Sequence, residues 1–360
     1  MPYNNSANRE RVAHLFYQEA NELALAATAH YQQQATSSVD ESNVRRQLRE
    51  HLLPLADAVL MHSPALFETH LLHARQENPG PERDQELTLQ LSALRQALLL
   101  RLPVAEYVLA AGVLSSGFSQ LAEALPEWNG NAAPALPSVN PLQHLVDNYL
   151  ERLLAADRPG AYNVLLEAAK TGTDVRDLYL QVLQPVQREI GVRWHNGELS
   201  VAEEHFCTAT TELTMSLLNP YLVSTPRNGR RLVATNVAGD LHAVGLRMVT
   251  DFLEHAGWDA YYLGASTPTG SILRTIETRR ADLLVLGASL PHHVPLIKEL
   301  ISTYRSTPAV NQAKILVGGQ PFNQDPALWR HVGADVWAPD AASAVEVVNR
   351  LFGLSEAQPA

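Results

Sequence analysis

The chain has 360 residues, a net charge of −11, one cysteine and three lysines, Lys170, Lys298 and Lys314. That length exceeds one ordinary domain, so two or three are expected. The lone Cys207 excludes an intramolecular disulfide, no apolar run reaches bilayer length, and the N-terminus shows no signal-peptide pattern. The expectation is a cytoplasmic protein with no membrane attachment. Residues 1–135 hold nine arginines and no lysine against fifteen acidic residues, a formal charge of −6. Direct DNA binding needs clustered cations, so this region is not expected to read DNA.

From Arg9 to Leu125 apolar residues recur at three- and four-residue steps, as in Leu52, Leu55, Val59 and later Leu99, Val104, Tyr107, Val108. That period predicts an all-α N-terminal domain over residues 1–135. Pro64, Pro79-Gly80-Pro81 and Pro103 divide it into several helices. Its histidines (His30, His51, His62, His70, His73) read as surface or core residues more readily than as a ligand site. The stretch from Pro126 to Pro137 has no period and several prolines, and reads as a linker.

Residues 140–225 return to the helical period. Pro141 suits a first turn, Arg158-Pro159-Gly160 closes that helix, and a second runs to about Lys170. Thr173 or Asp174 caps a third, which carries Pro185 and is expected to kink there before Asn196-Gly197 stops it. Ser200-Val-Ala-Glu203 is a capping box opening a fourth helix that ends near Asn219-Pro220. Four helices with short loops predict a four-helix bundle.

Residues 229–354 alternate strands and helices. Strands are expected at 231–236, 260–263, 283–287, 315–318 and 336–338, with helices between them and a last one near 342–351. This alternation predicts an α/β Rossmann-like parallel sheet, which binds ligands beyond the carboxyl ends of its strands. The loop after the first strand reads Gly239-Asp240-Leu241-His242-Ala243-Val244-Gly245, a D-x-H-x-x-G pattern. There a neutral imidazole can ligate a metal while the carboxylate two residues earlier accepts its other N–H. Gly245 lets a bulky ligand pass close to the next helix. The alternative is an ordinary turn in which Asp240 caps that helix. Gly318-Gly319 after the fourth strand is expected to open a channel beside the sheet. Gly287-Ala288-Ser289-Leu290 offers a small hydroxyl at the rim.

Together these loops resemble the cobalamin-binding domain of methionine synthase and its relatives. The resemblance implies His242 as lower axial cobalt ligand, Asp240 as its partner, and Gly318-Gly319 beside the buried nucleotide tail. One departure stands: the family has S-x-L at the end of the third strand, whereas Gly287 occupies the serine position here and Ser289 comes two residues later.

Trp194-His195 and Glu204-His205 fall at facing ends of two bundle helices. Singly, Trp194 reads as core, His195 as a partner of the helix dipole and Glu204 as an N-terminal acid. As a set they form W-x9-E-H, which resembles the cap of CarH-type adenosylcobalamin photoreceptors. The segment LQVLQPVQREIGVRW and Tyr262–Pro268 are also similar, so the resemblance covers roughly residues 141–352. It implies adenosylcobalamin held between cap and sheet domain, with Trp194 above it and Glu204 and His205 at its polar edge. It further implies that light breaks the cobalt–carbon bond and that His195 then binds cobalt from above. That family begins with a DNA-binding domain, whereas this chain begins with an acidic helical region. Output is therefore expected through a signalling partner or through homo-oligomer formation, without enzymatic activity. The alternatives are a corrinoid methyl-carrier protein of a methyltransferase system and a light-independent cobalamin sensor.

Overall fold

A computed structural model describes residues 5–35, 40–76, 80–123, 140–222, 225–307 and 312–354. The expected linker at 126–137 lies outside these residues. Contacts divide the chain into two units, one of Met1–Pro126 with Leu290–Lys298 and one of Glu127–Ser289 with Glu299–Ala360. No helix among the described residues is long and apolar enough to cross a membrane.

The first unit carries α1 (Asn5–Gln34), α2 (Glu41–Met61), α3 (Pro64–Gln76), α4 (Pro81–Arg101) and α5 (Val104–Ala122). The proline boundaries fall where expected: Pro64, Pro81 and Pro103 stand at the starts of α3, α4 and α5. The α1–α2 break has no proline signal and was not anticipated. Asp40 marks it by accepting N–H bonds from Ser42 and Asn43 as the α2 cap. Phe16, Leu23, Leu48, Leu52, Phe67, Leu91 and Leu94 form the buried interior. A polar network crosses it. Buried His51 meets His70 at 2.8 Å through Nδ1 and Gln90 at 2.8 Å through Nε2. The Tyr17 hydroxyl donates to buried Asp57.

The second unit begins with four helical stretches. These are α6 (Gln143–Leu154), α7 (Arg158–Lys170), a composite helix and α10 (Val201–Leu218). Arg158-Pro159-Gly160 opens α7 behind the Asp157 cap, where it was expected to close α6, because proline fits a first helical turn. The composite runs through α8 (Val175–Leu178), a π-helical turn (Tyr179–Leu183) and α9 (Gln184–His195). Pro185 explains the turn. Having no N–H, it leaves the Gln181 carbonyl without its helical donor, and Asn140 Nδ2 takes that carbonyl at 2.7 Å. The expected kink is therefore a wide turn. Ser200 and Glu203 form the expected reciprocal capping box.

The remaining strands are β1 (Arg231–Val237), β2 (Asp259–Thr267), β3 (Leu283–Gly287), β4 (Lys314–Gly318) and β5 (Val336–Ala338). All pair in parallel, in the order β2-β1-β3-β4-β5. The order reverses beside β1, which puts the ligand crevice at the end of that strand. Helices α11 (Val244–His255), α12 (Thr269–Arg279), α13 (His293–Arg305), α14 (Gln320–Gln324), α15 (Leu328–Val332) and α16 (Ala341–Phe352) complete the chain. Leu232, Ala234, Leu283, Val285 and Leu316 on one sheet face pack with Leu246 and Leu253 of α11 and with Ala344 and Val348 of α16. The opposite faces of those two helices meet the bundle: Met248, Phe252 and Ala341 join Tyr179, Val182, Val186, Met215 and Leu218 in one core. Apolar burial fixes bundle and sheet to each other at roughly 1.5–3 kcal/mol per large side chain.

Candidate functional site

The histidine loop leaves β1 at the crevice. Gly239 has a φ of 88°, a conformation open to glycine, and its N–H donates to Ser266 Oγ at 3.0 Å. The Asp240 carbonyl accepts the Ser266 N–H at 3.0 Å, so main chain ties the loop to the end of β2. The Asp240 side chain is fully buried. Its Oδ1 lies 3.1 Å from both the His242 N–H and His242 Nδ1, and its Oδ2 accepts the Ser289 N–H at 2.9 Å. The capping role is corrected here: α11 begins after Ala243 with no side-chain cap, and the Asp240 oxygens are turned to His242 and Ser289.

A carboxylate oxygen accepts, so Nδ1 of His242 carries the proton and Nε2 keeps a lone pair. That side chain is 64 % exposed. The hydrogen bond to Asp240 raises the imidazole above its ordinary range against the effect of partial burial. The negative charges of Asp240 and Glu204 add to the rise. Glu204 lies on α10, so the bundle tip is within electrostatic reach of the loop. Its carboxylate is held by the Thr208 hydroxyl at 2.7 Å and by His205 Nδ1 at 2.6 Å.

Trp194, in the last turn of α9, is 46 % exposed, which corrects the reading of it as core. His205 is 74 % exposed. His195 is the last residue of α9, and its side chain lies outside the described positions. Ser289 uses its backbone N–H toward Asp240. Leu290 follows it in the loop before α13. Gly245 lies in the first turn of α11, and a Cβ there would meet nothing within 4 Å. The glycine pair at the end of β4 is closely packed. A Cβ on Gly319 (φ 108°) would stand 2.0 Å from the Ala288 carbonyl oxygen, and one on Gly318 3.2 Å from that of Ala338. A side chain on Gly319 would therefore collide with neighbouring backbone, and one on Gly318 would crowd it.

Two further side chains hold the loop in roles that spacing along the chain does not show. Tyr262 on β2 donates its hydroxyl to the Ala243 carbonyl at 3.2 Å, and burial pushes that phenol up to about 12. Asn236, a polar residue inside the apolar run LVATNV, donates Nδ2 to the His242 carbonyl at 2.9 Å. Its interruption of that run was the available signal. Among the described residues no three His, Cys, Asp or Glu side chains gather into a metal cage. The loop thus offers a metal one outward imidazole, a donor set suited to a metal whose other positions a macrocycle fills.

Residues 230–348 match the family model for the B12 binding domain, and residues 145–219 match a second B12 binding domain model. The histidine loop lies in the first match, and Trp194, Glu204 and His205 lie in the second. This is a cobalamin-binding protein, with a helical and a sheet domain of the B12-binding type in tandem. More particularly, it is similar to corrinoid proteins. It is 24 % identical over 217 residues to a corrinoid protein of Desulfitobacterium hafniense, covering 59 % of this chain and 99 % of that one. It is 26 % identical to monomethylamine corrinoid protein 1 of Methanosarcina mazei, covering 58 % and 98 %. The fold matches the solved monomethylamine corrinoid protein of Methanosarcina barkeri with a TM-score of 0.53 at 20 % identity, over 58 % of this chain and 99 % of that one.

Proposed function

We propose that this chain is a corrinoid carrier. It would hold cobalamin with His242 as the protein's ligand to the cobalt, and would present the cofactor to a partner methyltransferase. The observation that carries this is the buried Asp240 carboxylate fixing His242 with Nε2 outward at the crevice of the sheet. The names of the corrinoid relatives support it. Bound cobalamin supplies a cobalt–carbon bond that can be made and broken at its upper face. The chain's own work is to keep the Nδ1 proton on the Asp240 side and Nε2 free to ligate, and to hold the loop through Asn236 and Tyr262. Gly245 leaves room beside the loop. The acidic N-terminal helices are assigned to contact with a partner protein or a second copy of the chain.

A second reading is favoured by one feature, the W-x9-E-H tip with Trp194 half exposed and Glu204 within reach of His242. In it the chain would hold adenosylcobalamin, with Trp194, Glu204 and His205 covering the adenosyl group and His195 as the residue that would replace that group as a ligand after light. One experiment separates the two. The full chain is offered methylcobalamin and adenosylcobalamin in the dark, then exposed to green light and followed by absorbance and size exclusion. The carrier reading predicts methylcobalamin retained at least as well and an elution volume unchanged by light. Tenfold preference for adenosylcobalamin with a light-driven change in size would replace it with the photoreceptor reading.

A further inference from the structure

Asn236 is the last β1 residue paired with β3, and its partner across the ladder is Gly287. It is 1 % exposed. Its Nδ2 donates to the main-chain carbonyl of His242 at 2.9 Å, while its Oδ1 is buried without a hydrogen-bond partner. A buried oxygen left unmet costs roughly 1–3 kcal/mol, and an apolar side chain of similar shape would avoid that cost. Folding alone therefore does not account for an amide here. Gly287 accounts for how it fits. A Cβ at that position would lie 2.2 Å from Asn236 Oδ1. Gly287 is not among the positive-φ glycines, so the absence of a side chain serves the neighbouring amide and not the backbone.

The bond from Asn236 fixes the carbonyl of the histidine itself. Asp240 orients the ring from one end, and Asn236 fixes the peptide from which the side chain springs. An imidazole must meet its metal within a few tenths of an ångström, and such outer supports set that placement. We propose that Asn236 is a positioning residue for cobalt ligation by His242, and that Gly287 is the opening that admits it. This rests on the reading of His242 as the cobalt ligand.

The test uses the full chain with cob(II)alamin, protein carrying isotopically labelled histidine nitrogen, and electron paramagnetic resonance. Nitrogen splitting from the label shows whether a protein imidazole is on the metal. Wild type is expected to show the labelled splitting, and His242→Ala to lose it. Asn236→Ala is expected to lower cobalamin affinity ~10–100-fold and to show a mixed population of bound and unbound imidazole. Gly287→Ala, which expels the amide, is expected to do the same. The double variant N236A/G287A should be no worse than Asn236→Ala alone, because the clash leaves with the amide, and it serves where Gly287→Ala fails to fold. Wild-type splitting and affinity in Asn236→Ala would overturn the proposal, even with a lowered urea midpoint, because the residue would then be structural only. Labelled splitting absent from wild type, or retained in His242→Ala, would instead overturn the reading of His242.

Discussion

Asp251 links the bundle to the sheet domain and gives a pH effect with a definite sign. It lies on α11, and 10 % of its side chain is exposed. Its Oδ2 accepts the Tyr179 hydroxyl at 3.0 Å, and the Arg247 guanidinium stands 3.9 Å away. Burial outweighs both neighbours and pushes the carboxyl from 3.8 up to about 6. The folded protein thus holds this proton more tightly than the unfolded chain does. Stability falls as pH rises from 3.8 toward 6, and above that window the ionised group carries its full cost. At 1.36 kcal/mol per pH unit that cost is about 3 kcal/mol. Asp251→Asn keeps an acceptor for Tyr179 and is always neutral. Its stability advantage over wild type should grow by about 2 kcal/mol between acid near pH 4 and base near pH 8. Urea unfolding followed by tryptophan fluorescence reads the right unit, because Trp128, Trp194, Trp258, Trp329 and Trp337 all lie beyond residue 126. A gap that stays constant across this range would refute burial as the cause.

Three other outcomes follow from the same structure. Asp240→Ala removes the acceptor for His242 and Ser289 and should weaken cobalamin binding ~10–100-fold, measured by spectral titration. Gly319→Ala sets a Cβ against the Ala288 carbonyl in a backbone conformation that disfavours L-residues, and should cost at least ~2 kcal/mol in urea unfolding. Burial lowers the pKa of His51 and His70, so the unfolded chain takes up protons first as pH falls through their ordinary 6.5. The stability they permit is present above that value and lost below it. Hydrogen exchange in α2 and α3, corrected for intrinsic rate, should be faster at pH 5.5 than at pH 7.5, and equal protection at the two values would contradict the burial.

Much of the architecture was legible because it rests on local signals. The five strands are short apolar runs between breakers, and the capping box at Ser200 and the proline boundaries carry their own geometry. The histidine loop was legible for the same reason, since Asp240 and His242 are two residues apart and act on each other. What stayed hidden is long-range. Ser289 meets Asp240, Tyr179 meets Asp251 and Asn236 fits against Gly287, each across dozens of residues. The close approach of Gly319 to Ala288 is long-range too: the absent side chain makes room for another strand's exit, which spacing along the chain does not show. Trp194 likewise follows the helical period of core residues yet sits half exposed at a tip.

The central claim is that His242 ligates the cobalt of a bound cobalamin. The most direct measurement is the affinity and absorbance spectrum of the full chain with cobalamin, set beside His242→Ala. The account predicts one cobalamin retained per chain with the spectrum of an imidazole-ligated cobalt, and a variant that binds at least tenfold more weakly with that signature lost. A chain that retains no cobalamin, or a variant that matches wild type in both affinity and spectrum, would contradict it.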